Sequence, residues 1–315
     1  MTLRKVFIFY GVLVAISNVG MATEQAPWDQ WARSNPPWVE PIKPFNVIAN
    51  IHYVGTKGLG SYLITSADGH VLIDGGLPQN AKQIMANIET LGFELDDIKI
   101  LLNSHAHFDH SGGLSEIKRV TGAQMIASKG DREALETGLY PGSINPLYSA
   151  PPVTVDQVVT DGQEVMQSDT RMVANIMPGH TPGCTSWSTT VKEQDVSYKV
   201  LFFCSATVAG NRLVGPPQYE GIVDDYRRTF ELAKQHKPDV FLSFHPFHFD
   251  SKLADKIAKR NSGDALAFVD KELFPALMQT QEQAFEKSLQ KQKAKLESAS
   301  SDPSGGEGAQ QDKSE

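Results

Sequence analysis

The feature that most restricts what this chain can become is a run of six residues, His105-Ala106-His107-Phe108-Asp109-His110. Three of the nine histidines and one aspartate fall inside it. It follows directly on the apolar stretch Ile98–Leu102, which reads as a buried strand, and it leads through Gly112-Gly113 into a helix near Leu114–Val120. A strand end holds such a loop rigidly, and the glycines let it turn sharply. Alternate positions of an extended turn point two rings at one spot, so His105 and His107 can share a cation. Asp109 and His110 are adjacent, point elsewhere, and can serve a second ion a few ångströms away. Imidazole and carboxylate are ligands that zinc accepts. A polar surface loop with chance histidines rarely collects four metal-competent residues in six at a strand-to-helix turn.

Two further histidines share the local setting of that run. His180 stands between Gly179 and Thr181, after the apolar stretch Arg171–Met177, and His245 follows Val240–Phe244. Each is a polar ligand at the end of a buried strand. The remaining histidines have no such setting: His52, His70 and His236 read as structural, and His248 as a surface residue.

The rest of the chain reads as a leader, one domain and a tail. Arg4 and Lys5 precede an apolar stretch, Val6–Ile16, and Gly20-Met21-Ala22 supplies small residues around a cut after Ala22. Residues 1–22 therefore read as a secretory signal peptide; the apolar stretch is too short to span a bilayer comfortably. No other segment is long and apolar enough to span one. Residues 23–44, rich in Pro and Trp, read as an irregular arm. Ile48–Val54, Ser61–Thr65 and Val71–Ile73 read as strands, and Asn80–Leu91 as a helix with Ile84, Met85, Ile88 and Leu91 at helical spacing, stopped by Gly92. Ala123–Ala127 is a further strand, and Gly138–Pro152 is a loop of functional length. Strands at Val158–Val159, Arg171–Met177, Thr185–Val191 and Tyr198–Phe203 follow, then a helix at Asp224–Gln235 and the strand Val240–Phe244. Each half thus ends with a helix and a buried strand running into a histidine. This plan implies an α/β molecule whose halves pack sheet against sheet, with helices outside. Residues 264–296 are helical in propensity, with Leu266, Val269, Leu273 and Leu277 on one face. The domain is expected over 23–297 and a disordered Ser-, Gly- and Glu-rich tail over 298–315. The net charge of −8 argues against a nucleic-acid partner. With two cysteines, Cys184 and Cys204, an exported chain can form one disulfide.

The metal run fits the signature H-x-H-x-D-H, and with it the chain resembles the metallo-β-lactamase superfamily. The resemblance covers roughly residues 46–250 and takes in Leu72-Ile73-Asp74-Gly75, Gly179-His180-Thr181-Pro182-Gly183 and His245. It implies a four-layer αββα sandwich with the metal site at one edge, between the sheets. Matched position by position, it implies two Zn2+ ions, one on His105, His107 and His180 and one on Asp109, His110 and His245. Asp74 matches an aspartate that supports the ligand loop; by itself it reads equally well as a turn residue before Gly75-Gly76.

Within the superfamily the pattern resembles class B β-lactamases of subclass 3. The Trp- and Pro-rich lead, Tyr53-Val54-Gly55-Thr56, Gly69–Gly75 and Ser186-Trp187 carry that likeness. Many dizinc members that are not lactamases place a bridging aspartate after the strand matching Tyr198–Phe203; this chain has Cys204-Ser205-Ala206-Thr207 there. One lactamase group uses a cysteine at that place as a zinc ligand, but lacks a histidine at the position of His110. The resemblance implies that Ser205 and Thr207 contact the substrate carboxylate. Cys204 is left either as a thiolate competing for zinc or as the partner of Cys184, and secreted members with this pair can bridge them. The implied reaction is hydrolysis of a β-lactam amide in penicillins, cephalosporins or carbapenems by zinc-bound hydroxide oriented by Asp109, without a covalent intermediate. The expected enzyme is periplasmic and monomeric, acting on a small molecule. A secreted dizinc lactonase or ester hydrolase is the alternative, and a non-catalytic zinc-binding protein a more distant one. Tyr140, Ile144, Leu147 and Tyr148 of the long loop, with Trp38 and Phe45, are expected to border the cleft.

Overall fold

Alternation along the apolar strands decides the layering. In the computed structural model, which describes residues 27–140 and 149–301, the strand Ile98–Leu102 turns Ile100 and Leu102 to one side and Leu101 to the other. In the strand Val196–Phe203, Phe202 likewise faces opposite to Leu201 and Phe203. A strand buried on both faces needs cover on both, one from the other sheet and one from helices.

The elements run in this order. Helix α1 (Pro27–Ser34) and a 3-10 turn (Pro36–Trp38) precede β1 (Phe45–Ile48), β2 (Ile51–Tyr53), β3 (Tyr62–Ile64), β4 (His70–Ile73) and α2 (Asn80–Thr90). Then come β5 (Ile98–Leu102), the single turn α3 (Phe108–Ser111), α4 (Leu114–Thr121), β6 (Gln124–Ser128), α5 (Arg132–Thr137) and β7 (Gln157–Val159). The second half holds β8 (Glu164–Gln167), β9 (Thr170–Ile176), β10 (Thr185–Glu193), β11 (Val196–Phe203), α6 (Ile222–Ala233) and β12 (Val240–Ser243). It closes with α7 (Pro246–Phe249), α8 (Leu253–Asn261) and α9 (Leu273–Ser301).

Among the described residues the strands form a seven-stranded sheet in the order β1-β2-β3-β4-β5-β6-β7 and a five-stranded sheet in the order β12-β11-β10-β9-β8. Between them lies the main core, with Ile73, Ile100, Leu102 and Ile126 from the first sheet and Trp187, Val200, Phe202 and Leu242 from the second. Outside the first sheet α2 and α4 bury Ile84, Ile88, Leu114 and Ile117. Outside the second, α6 and α9 bury Tyr226, Phe230, Phe274, Phe285 and Leu289. The expected αββα sandwich is borne out. Strands β4, β5 and β6 are parallel, as are β11 and β12, with β9 running in the same sense as β11 across β10. Their C-terminal ends therefore open on one edge, where sites of open α/β sheets lie.

Several expectations need correction. The segment expected to be an irregular arm contains α1, opened by Pro27 and followed by the 3-10 turn; its Trp28, Trp31 and Trp38 pack near Leu59, Leu77 and Phe108. The strand expected over Ile48–Val54 holds β2 and only the last residue of β1, and the two form a hairpin turned at Ala49 with φ 46°. The Asn46 side-chain amide closes that turn by donating to the Ala49 and Ile51 carbonyls. Phe45 is no cleft wall: it is 5% exposed and stacked in the core between Tyr53 and Phe268. The last helix starts at Leu273 rather than Asp264, because Pro275 is tolerated only in a first turn. Phe268 instead turns into the core, and Asp270 pairs with Lys256. The helix continues to Ser301, past the start expected for the tail; residues 302–315 and the expected signal peptide, residues 1–22, lie outside the described residues.

Candidate metal centre

Six strand ends deliver the polar residues of the site. Asp74 follows β4 with a left-handed φ of 60°, a conformation Asp accepts more readily than most side chains. Its Oδ1 accepts from the Ser104 backbone N–H at 2.7 Å and from Asn103 Nδ2 at 2.9 Å. Its Oδ2 accepts from Ser104 Oγ and faces His110 Nδ1 at 3.1 Å. One fully buried carboxylate thus fixes both the start of the ligand loop and the ring of His110. Trp187 adds a third restraint by donating its indole N–H to the Asn103 carbonyl at 3.0 Å.

The predicted ligands converge as two triplets. His105, His107 and His180 form one, and Asp109, His110 and His245 the other. In the first, His180 Nε2 lies 3.0 Å from His107 Nδ1 and 3.1 Å from His105 Nε2. In the second, His110 Nε2 lies 3.2 Å from His245 Nε2, and Asp109 Oδ2 lies 3.4 Å from each. Zinc–nitrogen bonds of about 2.0–2.1 Å in a tetrahedron place ligand atoms about 3.3 Å apart, so both triplets have the spacing of a zinc shell. Ring atoms turned away from the triplets are tied back. His180 Nδ1 lies 2.7 Å from the Thr207 carbonyl, His105 Nδ1 is 3.0 Å from Ser104 Oγ, and His110 Nδ1 faces Asp74. A proton on the outer nitrogen leaves the inner lone pair for a cation.

The electrostatics agree with this donor set. Burial, then the neighbouring imidazoles, hold His105 and His107 well below the ordinary histidine range. Burial brings His180 and His245 down to about 4, despite the Thr207 carbonyl at His180 and the Asp109 charge at both. Four rings are thus neutral near pH 7, as ligands must be. His110 is the exception. Burial opposes its charge, but Asp109 and Asp74 overcome that and raise it to about 10. Asp109 is held well below the carboxylate range, since His110, His245 and His107 outweigh its burial. Carboxylates that hold a proton so firmly on His110 would favour a metal cation in its place.

Asp131 was not singled out in the sequence, and it ties the two ligand loops together. Its Oδ2 accepts from the Ala106 N–H at 3.0 Å and from Thr181 Oγ1 at 2.8 Å, and its Oδ1 accepts from the Gly183 N–H at 2.9 Å. Ala106 lies between two ligands, and Thr181 follows a third. The loops come so close that a Cβ at Gly183 would collide with Ser128 Oγ and the Asp131 backbone N. Burial pushes the Asp131 carboxyl up to about 6, although its three donors pull the other way. An Asp just ahead of a short helix reads as an N-cap, which hides this role; its side chain makes no cap bond.

Beside the second triplet a groove of about 510 Å³ is lined by Trp38, Pro37, Lys57, Thr207, His245 and Phe249, among others. Trp38 stands 5.9 Å from the His245 ring. Thr207 is half-buried; Ser205, 7% exposed, is 3.1 Å from it, Oγ to Oγ1. Tyr140 packs its ring 4.3 Å from that of His107 and donates to the His180 carbonyl at 3.0 Å. Ile144, Leu147 and Tyr148 lie outside the described residues. Of the other histidines, His52, His70 and His236 are buried or half-buried away from the triplets and His248 is exposed. Cys184 and Cys204 are disulfide-bonded, with Cα atoms 5.8 Å apart, so no thiolate is left to compete for metal.

The model of the family described as "Metallo-beta-lactamase superfamily" matches residues 61–245, which span every ligand. The chain belongs to the metallo-β-lactamase superfamily. Within the superfamily it is 46% identical to BJP-1, a subclass B3 metallo-β-lactamase of Bradyrhizobium japonicum, with a TM-score of 0.80 over 82% of this chain and 98% of that one. A metallo-β-lactamase of Cronobacter sakazakii, described by a HARLDQ motif, is 37% identical with a TM-score of 0.76, covering 82% and 98%. Among curated relatives, a hydroxyacylglutathione hydrolase of Rhodospirillum rubrum is 34% identical over 108 residues, about a third of either chain (34% of each). An N-acyl homoserine lactonase of Bacillus thuringiensis is 24% identical over 57% of this chain and 78% of its own length.

Proposed function

We propose that this enzyme is a dizinc β-lactamase that hydrolyses the ring amide of penicillins, cephalosporins and carbapenems. The observation that carries the reading is the second triplet. It is completed by His110 and His245, while the segment after β11 offers no carboxylate and its Cys204 is bound to Cys184. The likeness to BJP-1 over nearly that protein's full length supports the same branch.

Two zinc ions on the triplets would supply Lewis acidity at the lactam carbonyl and a water of lowered pKa. The chain's own part is positioning. Asp109, held ionised between His110 and His245, turns Oδ2 to the triplet and keeps its other carboxylate oxygen to accept and orient a proton. Ser205 and Thr207 offer hydroxyls for the substrate carboxylate, and Trp38 and Phe249 wall the groove against water. No serine or cysteine nucleophile is required, so no covalent acyl-enzyme forms.

The N-terminal 22 residues support export to the periplasm. No helix among the described residues is long and apolar enough to cross a membrane. The acting unit in this reading is a single chain of residues 23 onward with a small-molecule substrate. The test is turnover of a chromogenic cephalosporin beside a penicillin, a carbapenem and an acyl-homoserine lactone, with and without EDTA. Lactam hydrolysis lost to the chelator and restored by zinc is expected. Turnover that survives complete metal removal refutes the mechanism, and turnover of the lactone alone favours the lactonase reading.

A further inference from the structure

Helix α9 runs 29 residues, more than its apolar contacts require. Phe274, Met278, Phe285 and Leu289 already seat it against the second sheet and α6. One and two turns further on, it touches a different part of the molecule. Gln292 accepts from the Leu213 N–H at 2.7 Å through Oε1 and donates to the Asn211 carbonyl at 3.0 Å through Nε2. Leu296 lays its side-chain methyls over Gly215. The segment so gripped follows β11 and has little conformation of its own, passing through left-handed φ at Ala209, Gly210 and Gly215. Such backbone is held by outside contacts rather than by local preference.

What that loop holds is the metal centre. Asn211, 4% exposed, donates its side-chain amide to the His180 carbonyl at 2.9 Å and accepts from Tyr140 Oη at 3.1 Å. Thr207, at the start of the same loop, gives its carbonyl to His180 Nδ1 at 2.7 Å and to Tyr226 Oη at 2.7 Å. His180 is therefore fixed at its backbone and its ring by two points of one loop, and the far side of that loop is held by burial of Leu213, by Leu296 over Gly215 and, through hydrogen bonds, by Gln292. We propose that α9 is a latch on the first metal site. Gln292 is its positioning residue, setting the His180 ring and the Thr207 hydroxyl through the 207–213 loop. The inference rests on His180 being a metal ligand.

The test uses the full-length zinc enzyme and the variants Gln292→Ala and Gln292→Glu. Glutamate matches glutamine in size and helix propensity and can still accept from Leu213, but it loses the donor to Asn211. Zinc retention is titrated against a coloured chelator, amide exchange is followed over 205–215 and over 278–289, and KM and kcat are measured on the cephalosporin. Both variants are expected to release one of two zinc equivalents about 3- to 10-fold more readily, less than the loss of a group touching a ligand directly. Exchange should quicken over 207–213 while 278–289 stays protected, and KM should rise through Thr207. Unchanged zinc release in both variants overturns the proposal. So does an effect confined to Gln292→Ala, which would trace it to packing, or equal loss of both zinc equivalents with exposure of 278–289, which would trace it to unfolding. Zinc retention is read without substrate, so failure of the lactamase reading leaves this result standing; a wild type that holds no zinc removes the metal reading itself.

Discussion

Replacing Asp131 by Asn separates the order of the site from the stability of the fold. The carboxylate is 2% exposed and receives three hydrogen bonds from the two ligand loops. Those bonds do not offset its burial. A rise from the ordinary 3.8 to about 6 is 2.2 pH units, and at 1.36 kcal/mol per unit the ionised group costs the zinc-free fold about 3 kcal/mol at neutral pH. Asparagine removes the charge and keeps one oxygen for the Ala106 and Thr181 donors. Its NH2 then confronts the Gly183 N–H, donor against donor, which costs about 1–3 kcal/mol. The two effects nearly cancel, so the zinc-free variant should match the wild type within about 1.5 kcal/mol in urea denaturation at pH 7.

The sign with pH follows. A folded pKa raised above its unfolded value contributes stability that is full below 3.8 and lost as pH rises through about 6. The zinc-free wild type should therefore gain on the variant between pH 7 and pH 4 by about 2.4 kcal/mol. Zinc affinity should move in a different way. The donor–donor contact at Gly183 pushes residues 180–183 away from the anchor that residues 105–107 keep, and affinity at the first site is expected to fall about 10- to 100-fold. A variant that binds zinc as the wild type does refutes the positioning role. One that loses more than about 3 kcal/mol of stability at pH 7 refutes the balance of terms.

Other outcomes are expected from the same structure. Replacing both Cys184 and Cys204 by Ala opens a cross-link with a sequence separation of 20, and should lower urea stability by about 3 kcal/mol while leaving zinc stoichiometry unchanged; loss of a zinc equivalent would show a thiol role in the site. His52 is held down to about 4 by burial and by its neighbours His70 and Arg260. Folding therefore favours its neutral form, and stability is lost as pH falls from 6.5 toward 4. His52→Gln should remove about 1–2 kcal/mol of that acid sensitivity after allowance for solvent screening, read as the difference between the two proteins' denaturation midpoints at pH 7 and pH 4.5. An identical acid dependence would assign the titration elsewhere.

Much of the site was legible because each ligand follows a strand that announces itself. Ile98–Leu102, Arg171–Met177 and Val240–Phe244 are apolar runs of strand length, and a histidine just beyond such a run stands at a fixed edge of a sheet. The supports were harder to see. Asp131 reads as a helix cap, Asn211 after Ala209-Gly210 as a turn residue, and Gln292 as one more polar position on a charged helix. Each acts on a partner far away in sequence, and short-range pattern carries no sign of that. The hairpin hidden in Ile48–Val54 was lost for the opposite reason: its turn uses Ala49 and Asn50, with no glycine to mark it.

The sequence by itself determined the layers, through period-two apolar strands, and pointed to six candidate ligands, through residue type at strand ends. Only the tertiary structure decided that the two triplets have zinc-like spacing, that Cys204 is taken up by Cys184, and that Phe45 belongs to the core and Trp38 to the groove. The physical reason is the range of the interactions. Strand and helix periods are written in neighbouring residues, whereas lone-pair convergence and loop-to-loop hydrogen bonds depend on how two sheets meet face to face.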